Sequence, residues 1–255
     1  MMKFFFLILT LGSFSAQAKL IKKTIEYRDD SNLFEGYLVY DNTIKSPRPG
    51  VLVVHNWLGI TDETKAKVEA VAALGYVAFA ADIYGKGVRP SKAEAGAIAG
   101  KFKGDRQLLR SRVNLGLQTL STQKNVDPKN LAAIGYCFGG TTVIELARSG
   151  ADIKSVVSFH GGLDSPSPKG GNDIKAKILA LAGADDPFQK PEDLLAFQAE
   201  MRSSKVDWQM IQYGRAVHSF TEKGAGSDNS KGAAYNESAD HRSWQAMKDF
   251  LKETL

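Results

Sequence analysis

The chain has 255 residues, 43% apolar and 24% charged, with 33 Lys and Arg against 28 Asp and Glu for a formal net charge of +5. That balance excludes a disordered or collagenous chain. The excess positive charge is spread out, with no run of five or more basic residues, so nucleic acid is not an expected partner. A single cysteine, Cys137, excludes any intramolecular disulfide.

The first segment has the layout of an export signal: Met1-Met2-Lys3, an apolar run from Phe4 to Leu11, then Ala16-Gln17-Ala18 before a cut. Its apolar run falls well short of the ~20 residues needed to span a bilayer. We therefore expect a signal peptide over 1–18 and one domain over 19–255. The mature protein would be exported and free of the membrane, periplasmic if the source is Gram-negative.

Beyond it, strands and helices alternate. Thr24–Tyr27 and Leu33–Tyr40 read as extended segments around the turn cluster Asp29-Asp30-Ser31-Asn32. Pro47-Arg48-Pro49-Gly50 reads as a break before Val51–His55, an apolar run suited to a strand buried on both faces. Glu63–Leu74 has helical spacing and stops at Gly75. Tyr76–Ala81 is strand-like, and Ser91–Lys103 and Asp105–Thr122 are helical. Leu131–Gly135 predicts a buried strand leading through the elbow into a helix at Thr141–Arg148. Ile153–His160, Lys177–Leu181 and Val206–Tyr213 add strands; Pro191–Ser203 and Asp240–Leu255 add helices. This order predicts an α/β fold, a mostly parallel sheet with helices on both faces. Two long loops, His160–Lys175 and Gly214–Glu237, leave strand C-termini, where such sheets place their sites.

Gly135-Tyr136-Cys137-Phe138-Gly139-Gly140 carries the functional argument. It matches the nucleophile elbow, G-x-S-x-G, with Cys in place of Ser; the alternative is a Gly-rich packing turn whose Cys is incidental. The tight strand-to-helix turn requires small neighbours two residues away and lifts the thiol above the sheet. The thiol also sits at a helix N-terminus, where the dipole favours negative charge. The next N–H, on Phe138, points where an oxyanion would form.

Elbow hydrolases supply nucleophile, acid and histidine in that order. Lys177–Leu181 runs into Gly183-Ala184-Asp185-Asp186-Pro187, offering two competing acids. Val206–Tyr213 runs into a loop carrying His218, the expected base. His55 and His160 each end a strand and read as wall residues, His160 as a pocket candidate; His241 reads as solvated. No HxH, HExxH, CxxC or nucleotide-binding glycine pattern is present, so neither a metal nor another cofactor is expected.

These residues resemble the dienelactone hydrolase family, Cys-nucleophile α/β-hydrolases of the carboxymethylenebutenolidase type. The likeness runs through His55-Asn56-Trp57-Leu58-Gly59, Ala81-Asp82-Ile83-Tyr84-Gly85, GYCFGG, GADDP and His218-Ser219-Phe220. The resemblance implies that Asp186 is the acid rather than Asp185, and that the N–H of Trp57 completes the oxyanion hole beside Phe138. It also marks departures. Asn56 stands where family members that hydrolyse dienelactone carry a Glu engaging the resting thiol. Thr221-Glu222-Lys223 replaces a segment in which they hold the substrate carboxylate with an Arg.

Asn56, Tyr84, Arg89 and His160 are the candidate pocket residues, Arg89 as an alternative cation. The expected partner is a small-molecule ester or lactone, hydrolysed through Cys137, His218 and Asp186. Two rival readings share these residues: a hydrolase-fold binding protein with little turnover, and a thiol-redox role for Cys137. The oligomeric state is not legible.

Overall fold

A computed structural model describes residues 19–166 and 173–255. The expected export segment, Met1–Ala18, and the middle of the His160–Lys175 loop lie outside the described residues.

Among the described residues, eight strands form one sheet in the order β1-β2-β4-β3-β5-β6-β7-β8. They are β1 (Leu20–Arg28), β2 (Leu33–Asp41), β3 (Arg48–Val54), β4 (Val77–Ala81), β5 (Val126–Tyr136), β6 (Ser155–Phe159), β7 (Lys177–Gly183) and β8 (Trp208–Tyr213). The first two pair antiparallel as a hairpin, β2 meets β4 antiparallel, and every later pair is parallel. Among the described residues, six α-helices accompany them: α1 (Asp62–Ala73), α2 (Lys92–Gly104), α3 (Arg106–Ser121), α4 (Phe138–Arg148), α5 (Pro191–Ser203) and α6 (Glu237–Thr254).

The strand residues explain the layering. In β3, Leu52 and Val54 face a core shared with α2, α3, α4 and α5, while Val51 and Val53 face α1 and α6. Side chains alternate across a strand, so a continuous apolar run fills two cores at once. Several helix starts are fixed by side chains that take up orphan N–H groups. Asp105 accepts from Leu108 N at 2.9 Å, Asn236 accepts from Ala239 N at 3.0 Å, and Ser91 forms a capping box with Glu94.

Two expectations need correction. Pro47–Gly50 does not break the chain before β3, because Arg48 and Pro49 already pair with Val126 and Asp127 of β5. The register then shifts between Pro49 and Gly50, and proline, lacking an N–H, is tolerated at such an irregularity. The helix after the elbow starts at Phe138, not Thr141, so Cys137 is itself the N-cap residue.

Candidate active site

The elbow is a steric construction. Cys137 has φ 55° and ψ −113°, a left-handed conformation that non-glycine residues rarely adopt. A Cβ on Gly135 would lie 2.0 Å from Gly139 O, and one on Gly139 would lie 2.2 Å from Val54 O. Glycine at these two positions lets α4 start against the ends of β3 and β5, which projects the thiol beyond the sheet.

Loops after β7 and β8 bring the other two groups to it. Asp185 N donates to Ala216 O at 3.0 Å and Ala184 N to Tyr213 O at 2.9 Å, tying the two loops together. His218 is held by its own backbone, donating to Gly232 O at 3.2 Å and accepting from Ala234 N at 3.0 Å. Its Nε2 lies 3.0 Å from Cys137 Sγ, and its Nδ1 lies 2.9 Å from Asp186 Oδ2. Asp186 is buried and also accepts from Phe188 N at 2.9 Å, whereas Asp185 is exposed. Burial alone would lower the pKa of His218. The hydrogen bonds to Asp186 and Cys137, with the charges of both, outweigh it and raise the pKa to about 10.

His160 lies directly behind the thiol. Its backbone is also left-handed, at φ 40°. The Cys137 N–H reaches His160 Nδ1 at 3.2 Å as well as Phe159 O at 2.9 Å. With Nδ1 accepting, the proton sits on Nε2 and is donated to Thr221 Oγ1 at 2.9 Å. Burial, aided by the charge of His218, holds the His160 pKa well below its usual value. His55 is similarly neutral: burial lowers its pKa to about 4, its Nδ1 donates to Asn56 O at 2.6 Å, and its Nε2 accepts from Ile83 N at 3.3 Å.

A cavity of about 710 Å³ opens in front of Cys137 and His218. Trp57, Leu58, Phe138, Ala99 and Phe188 give it an apolar wall, while Glu63 and Glu222 supply acidic groups and Lys92 and Lys103 basic ones. Trp57 and Phe138 line the same cavity as Cys137 and His218. Among the described residues no protein acceptor takes the Trp57 N–H. The neighbouring Leu58 N–H goes to Asn56 Oδ1 at 2.9 Å and the Gly59 N–H to Asn56 O at 3.3 Å.

None of the four candidate pocket residues lines this cavity. Tyr84 packs behind Trp57 and donates to its carbonyl at 3.1 Å. Arg89 turns away, with Nε donating to Ile60 O at 2.9 Å and Nη1 to Val88 O at 2.8 Å. His160 is the buried prop already described, and Asn56 sits under Glu222, to which its Nδ2 donates at 3.0 Å. Glu222 escaped the sequence reading as a pocket group; its one signal was its place four residues after His218. Among the described residues no group of three His, Cys, Asp or Glu could hold a metal ion.

The profile of the dienelactone hydrolase family matches residues 34–255. The chain belongs to the dienelactone hydrolase family. It is a hydrolase of that type, on the α/β-hydrolase fold. A solved structure of a dienelactone hydrolase-like promiscuous phosphotriesterase, P91, from metagenomic libraries is 38% identical, with a TM-score of 0.89 over 92% of this chain and 98% of that one. An uncharacterised Caenorhabditis elegans protein is 34% identical over 152 residues, 58% of this chain and 94% of its own. A Synechocystis relative provisionally named carboxymethylenebutenolidase is 26% identical over 92% of this chain and 98% of its own.

Proposed function

We propose that the protein is an exported hydrolase of small carboxylic esters or lactones, working through Cys137, His218 and Asp186 and an acyl-thiol intermediate. The observation that carries this reading is the chain of contacts Sγ–Nε2–Nδ1–Oδ2, at 3.0 and 2.9 Å, opening on the cavity. The thiolate of Cys137 attacks the acyl carbon, forming an S–C bond as the carbonyl becomes an oxyanion. The N–H groups of Trp57 and Phe138 receive that oxyanion. Collapse breaks the bond to the leaving oxygen, which takes the proton held by His218. Neutral His218, oriented by Asp186, then removes a proton from water as it attacks the thioester, and Cys137 returns to its starting state. Export rests on the layout of Met1–Ala18 alone.

Phosphotriesters are a second substrate class. The 38%-identical relative is described as a promiscuous phosphotriesterase, and a thiolate can attack phosphorus as it attacks an acyl carbon.

Intact-protein mass after brief mixing with p-nitrophenyl acetate tests the first reading, and diethyl p-nitrophenyl phosphate tests the second. Wild type should gain an acetyl mass and release nitrophenol steadily. Cys137→Ala should do neither, and His218→Ala should be slowed by roughly a thousandfold or more. Equal slow release from all three proteins without an adduct would overturn the mechanism.

A further inference from the structure

The charged lining of the cavity is asymmetric. Lys92 and Lys103, on α2, are exposed, so water and salt screen them. Glu222 is half-buried and fixed, with Oε1 accepting from Asn56 Nδ2 at 3.0 Å. Behind it lies a small void of about 10 Å³ walled by His55, Asn56, Glu63, Thr64, Lys67, Tyr136 and Glu222, room for about one water. The Tyr136 hydroxyl on its wall is buried and has no partner among the described residues. The charges that act most on the carboxyl come from two elements. From α1 come Glu63 and Lys67, the latter 5.0 Å over the Tyr136 ring and 4.0 Å from Asp240 of α6. From the loop after β8 comes His218.

We propose that Glu222 is the specificity-determining residue of the cavity: it admits neutral acyl groups and, once ionised, excludes anionic ones. The physical reason is placement. The imidazolium of His218 lies between the thiolate of Cys137 and the carboxylate of Asp186, so it offers an entering anion no free positive charge, and the weakly solvated Glu222 adds a carboxylate on the cavity wall itself. Burial, then the charge of Glu63, raise the Glu222 pKa to about 7, while Asn56, His218 and Lys67 pull the other way. Selection should therefore strengthen as pH rises through neutrality. Substrates would be esters, lactones or phosphotriesters without a carboxylate. As a statement about substrates this rests on the hydrolase reading; the field at the thiol does not.

Alkylation of Cys137 by iodoacetamide and iodoacetate separates the two. The reagents are alike in size and differ by one negative charge. In each case the thiolate forms an S–C bond and iodide leaves. The ratio of the two rates, normalised to a free small thiol, cancels the thiolate fraction. Between pH 5.5 and 8 the wild-type ratio should rise in favour of iodoacetamide, on the order of tenfold. Glu222→Gln keeps an oxygen for Asn56 and should flatten the rise. Glu63→Gln should keep it and move it to lower pH.

A flat wild-type ratio, or an undiminished rise in Glu222→Gln, would overturn the proposal, as would loss of the rise in Glu63→Gln alone. The same comparison with p-nitrophenyl butyrate and mono-p-nitrophenyl glutarate reads the selection in turnover. If alkylation behaves as stated but neither ester is hydrolysed, the hydrolase reading fails and the selective field stands.

Discussion

At the N-terminal end of α4, Cys137 and His218 face an open cavity, whereas at its C-terminal end Arg148 is enclosed by carboxylates. All five N–H donors of Arg148 are used: Nε and Nη2 on Glu200 at 3.0 and 2.6 Å, Nη1 on Glu145 and Asp164 O at 2.9 Å each, and Nη2 also on Leu163 O at 3.1 Å. Glu145 receives Arg110 Nε as well, at 2.8 Å. Both ends bring opposite charges together away from bulk water. At the closed end every N–H of Arg148 has an acceptor, and its bonds, with those of Arg110, clamp α4 to α3 and α5. The open end leaves Sγ free on its cavity side, where an electrophile can take the place of the proton on Nε2.

That contrast yields predictions of decreasing size. Asp186→Asn should leave the fold intact yet lower kcat/KM by about 10³–10⁴-fold, because His218 loses its orienting acceptor; steady-state kinetics with a neutral nitrophenyl ester would check it. At the closed end, Arg148→Met strands Glu145 and Glu200 in the interior. A loss of about 3–5 kcal/mol is expected, seen as a melting temperature lower by roughly 6–20 °C, with kcat retained well below the transition.

Glu222 gives a pH-dependent effect. Its pKa is about 7 in the folded chain against an ordinary 4.5, so it contributes most favourably when neutral, at low pH. That contribution is lost as pH rises from about 4.5 through 7. Relative to Glu222→Gln, wild type should lose melting temperature between pH 5 and 8, by roughly 2–4 °C for each kcal/mol involved; scanning calorimetry at both pH values would show it. The smallest change is Tyr84→Phe. It removes the 3.1 Å bond to the Trp57 carbonyl, and a loss of about 1 kcal/mol should appear in kcat rather than KM if the Trp57 peptide meets the oxyanion.

Periodicity and chain order made much of the architecture legible. Pro191–Ser203 is a helix over the expected residues, and the buried runs at Val51 and Leu131 lie side by side in the sheet. Helix ends were less legible at α4: Gly139 and Gly140 are poor helix formers, yet here they let the helix pack against β3 and β6. The ion cluster around Arg148 left no local pattern, since Glu200 lies 52 residues away and meets Arg148 only through packing.

Spacing alone picked out the elbow, because a strand, two glycines and a helix constrain the intervening residue locally. It left Asp185 and Asp186 as competing acids. The tertiary structure separates them by burying Asp186 against His218 and leaving its neighbour in solvent. The same holds for Arg89 and Glu222. A cation beyond β4 and an acid beyond His218 look equally available in a linear chain, but the path of each loop turns Arg89 onto the carbonyls of Ile60 and Val88 and brings Glu222 over Asn56. Residue type and local spacing determine which chemistry a chain can perform. Which charges meet the substrate is a long-range property, decided only when distant loops close over the ends of the strands.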